Sequence, residues 1–180
     1  EELRCNRLDL VRAFLVVDQF EEALCELTGA RYAVAVDSCT NAIFLSLLWG
    51  KQRERDRRTS IRSMTADWYQ HSVLLPKHTY VGVAQAVRNA GYNLRWSDEK
   101  WAGSYRIIGA ENTEIIDSAK RLERGMYKSQ TLTCLSFQAA KLLPIGRGGA
   151  ILHDDAAFDK WARRARLDGR TEGADYRFLR

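Results

Sequence analysis

The stretch TLTCLSFQAAKLLPIGRGGAIL, residues 131–152, decides how this chain folds. Residues 132–137 are apolar and rich in β-forming side chains, so they predict a buried strand. A glycine-rich turn at residues 146–149 leads into a second apolar run, residues 150–152, which predicts another strand. Lys141 lies between the two runs, so we expect its ammonium at a strand end and facing a crevice. Ligands of α/β proteins commonly bind in such crevices. The pattern fits a lysine that holds an aldehyde cofactor and an ordinary surface lysine beside a glycine-rich hairpin equally well.

Length and composition describe a globular protein with a mild positive charge. With 180 residues and 46% hydrophobic content, the chain suits one domain with a substantial core, or the larger part of a two-domain protein. Its 28 Lys and Arg against 23 Asp and Glu give a net charge of +5. This charge suits an anionic ligand but is too small to require nucleic acid.

Neither a membrane segment nor a metal site is predicted. No apolar run is long enough to span a bilayer, and the charged residues 1–10 are unlike a signal or transit peptide, so we expect a cytoplasmic protein. The four cysteines, Cys5, Cys25, Cys39 and Cys134, lie far apart with no CxxC pair. We therefore expect free thiols, without a disulfide framework or a bound metal.

Short buried strands alternate with amphipathic helices along the chain. Strands are predicted at residues 32–36, 73–75, 92–96, 113–116, 132–137 and 150–152, and helices at residues 8–27, 41–49, 79–87 and 158–167. Residues 97–104 are interpreted as a loop or a short helix. This alternation predicts a three-layer α/β/α fold with a mainly parallel sheet and helices on both faces.

Polar residues follow the first predicted strand and open the next helix. Ser38, Cys39 and Thr40 stand at this helix start, where unpaired amides and the helix dipole make a ready site for an anion such as phosphate. A plain helix cap formed by Ser38 or Thr40 is the alternative.

Two further residues follow strand ends. Asp117 comes directly after a predicted strand, where its carboxylate could meet the protonated ring nitrogen of a pyridine cofactor, or could cap a helix. Tyr80 follows the strand that ends at Pro76, and its ring could lie flat on a planar ligand or pack in the core.

Basic residues are concentrated in two places. Residues 51–62 form a dense charge run, and the helix at residues 158–167 has a basic face that contains Lys160, Arg163, Arg164 and Arg166. A nucleic-acid-binding module is the functional alternative for these segments, but the charge run lacks the interleaved aromatic residues typical of a single-strand binder.

Several weak motifs stand in an order that resembles one enzyme family. They are residues 20–24 (FEEAL), 32–36 (YAVAV) and 38–42 (SCTNA), Pro76 with Thr79 and Tyr80, and residues 115–119 (IIDSA), 136–141 (SFQAAK) and 146–150 (GRGGA). Together they are similar to the DegT/DnrJ/EryC1/StrS sugar aminotransferases, pyridoxal-phosphate enzymes of fold type I. The Gly-Arg-Gly-Gly form resembles phage and environmental members of that family more than bacterial ones.

The resemblance implies the large domain of a PLP-dependent transferase. Residues 1–170 would form this domain in a shortened version, and residues 171–180 would begin a missing or truncated small domain. Lys141 would attach pyridoxal 5'-phosphate, and Asp117 would pair with its ring nitrogen. The other implied cofactor-binding residues are Ser38, Cys39, Thr40, Tyr80, Ser136 and Lys120. Lys120 departs from the family, which usually has glutamine or histidine there.

The resemblance also implies a reaction and an assembly. An amino group would pass from an amino acid such as glutamate to a keto-sugar, most simply a nucleotide-linked one, in a homodimer with a shared active site. Because the stretch between Gly91 and Ile115 is shorter than usual in the family, a catalytically reduced PLP-binding protein is the alternative within the same fold.

Overall fold

The computed structural model describes residues 7–60, 72–109 and 113–169. Its elements in chain order are α1 Arg7–Thr28, β1 Tyr32–Val36, α2 Cys39–Ser60, β2 Ser72–Pro76, α3 Val81–Asn89, β3 Asn93–Ser97, β4 Tyr105–Ile107, β5 Glu114–Asp117, β6 Thr131–Ser136, β7 Gly149–His153 and α4 Ala156–Ala165. Each predicted strand and helix is present, and β4 is an additional strand. The predicted start of a second domain at residues 171–180 lies outside the described residues.

Five strands form one sheet in the order β1-β7-β6-β5-β4, while β2 and β3 form a separate parallel pair. An isolated antiparallel bridge between Leu74 and Ile108 links this pair to the β4 edge of the larger sheet. None of the described helices combines the length and the apolar character needed to cross a membrane.

Strand pairing is mixed, which differs from the expected mainly parallel sheet. β7 runs antiparallel to both β1 and β6, and β4 runs antiparallel to β5, so only β5–β6 and β2–β3 pair in parallel. Residues 137–148, which join β6 to β7, contain no helix. A short connection of this kind returns the chain antiparallel, because neighbouring parallel strands need a long crossover. The apolar pattern of a short strand does not specify its direction.

The sheet separates two apolar clusters, which confirms the three-layer α/β/α fold. One cluster joins α2, α3 and α4 to the sheet, and the other joins α1 and the segment at residues 118–127 to the opposite face. β7 shows the division, since Ile151 belongs to the first cluster while Ala150 and Leu152 belong to the second. Successive side chains of a strand point to opposite faces, so a strand covered on both sides is apolar throughout.

The charge run that begins at residue 51 continues α2 as far as Ser60. Lys, Arg, Gln and Glu are good helix formers, and Gln52 Nε2 donates to Asp56 Oδ1 one turn later at 3.1 Å. The end of the run, at residues 61 and 62, lies outside the described residues. Its described part is therefore a helix.

A buried ion-pair cluster connects α1, β1 and α4. Glu21 is 3% exposed. Its carboxylate accepts hydrogen bonds from Arg163 Nη1 at 2.7 Å, from Arg166 Nη1, and from the Ala35 amide at 2.8 Å. Two of the four cations in the predicted basic face of α4 thus point into the protein, so this face presents less positive charge to a nucleic acid than the sequence pattern indicated.

Candidate active site

The carboxyl ends of β1, β5 and β6 meet at one edge of the sheet. Val36 and Ser136, the last residues of β1 and β6, both pair with Gly149 at the start of β7. Asp117, the last residue of β5, pairs with Cys134 of β6. The segments that follow these strands therefore start side by side, at the kind of edge where α/β proteins bind ligands.

The start of α2 lies against the glycine turn at this edge. An ideal Cβ at Gly149 would lie 2.5 Å from both the Cys39 amide nitrogen and the Ser38 carbonyl carbon, so only glycine permits the approach. Ser38 Oγ accepts the Asn41 amide at 3.2 Å, which confirms the helix-cap interpretation for Ser38. A capped helix start still presents first-turn amides and a positive dipole end to an anion.

Asp117 is a buried carboxylate, 5% exposed, with donors on both oxygens. Oδ1 accepts the Ala119 amide at 2.9 Å and lies 3.9 Å from Cys39 Sγ, while Oδ2 accepts the Tyr105 hydroxyl at 2.7 Å. No helix begins in the described residues 118–130, so Asp117 does not cap one. Its carboxylate is held at the strand end by these donors.

The Cys39 thiol lies within the field of two opposite charges. Burial is the largest cause that raises the pKa of this thiol. The carboxylate of Asp117 raises the pKa further, whereas the ammonium of Lys141 lowers it. Asp117 is the last residue of β5 and Lys141 lies in the segment that follows β6, so both belong to the carboxyl ends of two neighbouring parallel strands.

Lys141 lies in the segment that follows β6 and is partly buried. Its amide donates to the Gln138 carbonyl at 2.9 Å. Within residues 7–60, 72–109 and 113–169, its side chain forms neither a hydrogen bond nor an ion pair. An amine that is occupied by no group in this part of the chain is available to a ligand.

The start of α3 brings an aromatic ring to the same place. Tyr80 is 69% exposed, which excludes the core interpretation of its ring, and its side chain makes no cap hydrogen bond. An ideal Cβ at Gly82 would lie 2.6 Å from a ring carbon of Tyr80 and 3.1 Å from Thr40 Oγ1. The ring of Tyr80 and the hydroxyl of Thr40 therefore flank Gly82 near the start of α2.

Ser136 and Lys120 lie at the margins of this group. Ser136 is partly buried and lines a shallow depression together with Ser118, Phe137 and Leu142. Lys120 is exposed, and its Nζ lies 5.6 Å from the centroid of the Trp101 ring. The structure thus directs the Lys120 ammonium toward an indole ring, whereas the ammonium of Lys141 has no such partner among the described residues.

Tyr105 is the site residue that sequence reasoning missed. It opens β4, which was not predicted, and it pairs with Asp117 across the antiparallel ladder. The alternation in Tyr-Arg-Ile at residues 105–107 is the one local signal, since Tyr105 and Ile107 are buried while Arg106 is exposed. Three residues are too few to establish a period of two.

The assembled groups suit a flat, phosphorylated, cationic heterocycle that carries an aldehyde. A buried carboxylate can hold a protonated ring nitrogen, and an unpartnered lysine amine can bind an aldehyde. The start of α2 can bind a phosphate, and the exposed ring of Tyr80 can cover an aromatic face. The residues present therefore fit pyridoxal phosphate.

Solved structures share this fold. DesV of S. venezuelae has a TM-score of 0.62 and 18% identity, with 97% of this chain and 56% of DesV covered. An aminotransferase from Brucella abortus has a TM-score of 0.62 and 18% identity, with 91% and 52% covered. DesI, solved in the presence of its TDP-sugar product, has a TM-score of 0.60 and 17% identity, with 91% and 49% covered. The chain spans about half the length of these proteins.

Sequence comparison identifies the family. No curated protein matches the sequence. The profile of the DegT/DnrJ/EryC1/StrS aminotransferase family matches residues 11–100 and 119–180, which is most of the chain. Residues 101–118, with Tyr105 and Asp117, lie between the two matched segments. The resemblance inferred from the motifs is confirmed: this chain belongs to the DegT/DnrJ/EryC1/StrS aminotransferase family.

Proposed function

We propose that this chain binds pyridoxal 5'-phosphate and transfers an amino group from an amino acid such as glutamate to a nucleotide-linked keto-sugar. The observation that carries the proposal is that the buried Asp117 carboxylate, with Cys39 Sγ 3.9 Å from its Oδ1, ends β5 while Lys141 follows the neighbouring parallel strand β6. Membership of an aminotransferase family supports the reaction class. The similar fold of DesI, which was solved with a TDP-sugar product, supports a nucleotide-linked sugar as the acceptor.

Each candidate residue then has a defined task. Pyridoxal phosphate, when bound, supplies an aldehyde that takes up an amino group and a ring that accepts electron density. Lys141 Nζ would hold the aldehyde, and Asp117 would hold the proton of the ring nitrogen. The phosphate would bind at the start of α2, with Ser38, Cys39, Thr40 and Ser136 as its binding residues. Tyr80 would cover the ring, whereas Lys120, whose Nζ lies 5.6 Å from the Trp101 ring centroid, would bind at the margin of the site.

Lys141 would have a second task as a base. With the donor amino acid bound, the Nζ amine would be free to take up and return the proton of the donor α-carbon. Asp117 would be engaged with the ring nitrogen and would therefore take no part in this proton transfer. Proton movement is therefore assigned to Nζ of Lys141.

Absorbance spectroscopy of the purified chain with added pyridoxal phosphate tests this function. The wild-type protein should develop the visible band of a lysine-bound cofactor, and Lys141→Ala should lack it. Lys160→Ala, which changes an exposed lysine on α4, serves as the matched control and should retain the band. Addition of glutamate should remove the band, and a nucleotide-linked keto-sugar should restore it.

The outcomes separate the alternatives. A wild-type protein without the band, or a band that survives in Lys141→Ala, contradicts the assignment of Lys141. A band that glutamate and a panel of nucleotide-linked keto-sugars leave unchanged identifies a catalytically reduced cofactor-binding protein instead.

A further inference from the structure

A chain of hydroxyl groups leads to the buried carboxylate of Asp117. The Tyr105 hydroxyl donates to Asp117 Oδ2 at 2.7 Å, and Thr79 Oγ1 lies 2.5 Å from the Tyr105 hydroxyl oxygen. A phenol has one proton, which Tyr105 gives to the carboxylate, so Thr79 must be the donor to Tyr105. The order is therefore Thr79 to Tyr105 to Asp117, and each donor polarises the next.

Tyr105 is held as a permanent donor in this chain. It is 4% exposed. Burial raises the pKa of its hydroxyl well above the usual value, and the nearby charge of Asp117 raises it further, so the proton stays on Tyr105 at physiological pH. Toward Asp117 the phenol can therefore only donate a hydrogen bond.

The ring of Tyr105 is fixed from the side. Trp101 packs against it with ring centroids 4.8 Å apart, and Trp101 Nε1 donates to the His78 carbonyl at 3.0 Å. The segment from Trp101 to the strand β4 thus serves as a rigid support for one hydroxyl group. This support lies within residues 101–118, between the two segments that the family profile matches.

We propose that Tyr105 is a positioning residue, which fixes the carboxylate of Asp117 so that it can hold the ring nitrogen of the cofactor. This inference rests on the proposed function. The Ala119 amide fixes Oδ1 and the Tyr105 hydroxyl fixes Oδ2, so the plane of the carboxylate is set before a ligand arrives. An ionised carboxylate oxygen has two acceptor sites, and Oδ1 already faces the Ala119 amide and the Cys39 thiol, so Oδ2 is the oxygen that retains a site for the proton of the ring nitrogen.

Tyr105→Phe removes only the hydroxyl oxygen and is the direct test. We expect its affinity for pyridoxal phosphate, measured by fluorescence titration, to fall about tenfold, the size expected from losing one hydrogen bond to a charged group. In NMR of the cofactor labelled with ¹⁵N in the ring, the chemical shift of the ring nitrogen should move toward the value of the unprotonated form. Thr79→Val, which leaves Tyr105 in place, should change both measurements in the same direction by a smaller amount.

Tyr127→Phe is the matched control. It removes a hydroxyl that donates to the Thr131 carbonyl at 3.2 Å, and Tyr127 packs on the other face of the sheet. The affinity for pyridoxal phosphate and the chemical shift of its ring nitrogen should therefore stay unchanged. Chemical denaturation of each variant shows whether it is folded. A folded Tyr105→Phe with wild-type affinity and nitrogen shift overturns the positioning role.

Proton NMR of the protein without cofactor gives an independent readout. The Tyr105 hydroxyl proton should exchange slowly and resonate downfield, and this signal should disappear in Tyr105→Phe. Absence of the signal in the wild-type protein overturns the inference whatever the cofactor measurements show. A wild-type protein that shows the signal but does not bind pyridoxal phosphate overturns the proposed function instead.

Discussion

At the scale of single residues, Gly149 determines how closely the start of α2 approaches the sheet. The position tolerates no Cβ, because the nearest atoms belong to the backbone of Ser38 and Cys39. Backbone atoms cannot rotate away as a flexible side chain can. The missing side chain therefore brings the proposed phosphate-binding turn next to the strand edge that carries Ser136.

Gly149→Ala should force these segments apart. We expect at least tenfold weaker binding of pyridoxal phosphate and a loss of about 1–3 kcal/mol in the free energy of unfolding, the usual cost of overpacking. Absorbance titration and urea denaturation measure the two effects.

Gly125→Ala is a control that distinguishes an effect on the candidate site from the effect of backbone strain alone. A Cβ at Gly125 would meet nothing within 4 Å, but its φ of +68° strains any other residue. This control should lose about 1–2 kcal/mol of stability and keep wild-type cofactor affinity. Equal affinity in Gly149→Ala and Gly125→Ala would contradict the proposed role of the close approach.

At the scale of elements, Glu21 joins α1 to β1 and α4 through one carboxylate. Its partners come from distant parts of the chain: the Ala35 amide in β1, and Arg163 and Arg166 at the end of α4. Such a buried carboxylate is stable only because its partners neutralise it and satisfy its oxygens. The packing of α1 and α4 against the β1 edge therefore depends on this charge.

Glu21→Gln keeps the shape of the side chain and removes its charge. Two arginines would then face a neutral amide, and we expect a loss of about 3–5 kcal/mol in the free energy of unfolding, the usual cost of breaking a buried ion pair. Urea denaturation followed by circular dichroism measures it. Glu22→Gln, at the exposed neighbouring position, should change stability by less than about 0.5 kcal/mol. Similar losses of unfolding free energy in both variants would show that the buried ion pairs of Glu21 do not contribute to stability beyond a surface charge.

At the scale of the whole molecule, apolar side chains are exposed beside the candidate site. Tyr80, Val81, Leu142 and Ile145 are 69%, 74%, 67% and 55% exposed. They lie at the start of α3 and in the segment after β6, at the sheet edge that carries Asp117. We propose that a second copy of the chain covers them in a homodimer with a shared active site, because apolar groups clustered at one edge favour association.

Ile145→Asp places a charge in this proposed interface. We expect the wild-type chain to sediment as a dimer and Ile145→Asp to shift toward monomer, because an unpaired charge at the core of an interface is costly. Ile108 is 49% exposed and follows the last residue of β4, at the end of that strand away from Tyr105. Ile108→Asp should therefore leave the dimer intact. Sedimentation velocity distinguishes the two, and a wild-type monomer with bound cofactor would contradict the dimer.

Local sequence patterns predicted the elements well, because hydrophobic periodicity is a property of neighbouring residues. The strand at residues 32–36 was predicted with its observed bounds. The short strand β4 was not predicted, since its three residues become a strand only by pairing with β5. The basic face of α4 was misjudged because the partner of Arg163 and Arg166 is Glu21, which lies far away in the sequence.

The sequence by itself determined the α/β layers, the order of the strands and helices, and the membership of the family. Only the tertiary structure decided which side chains meet: Cys39 reaches Asp117 across 78 positions of sequence, and Tyr105 reaches the same carboxylate from a strand that no pattern revealed. The physical reason is that periodicity specifies which face of an element is buried, whereas strand direction and register specify what stands opposite it.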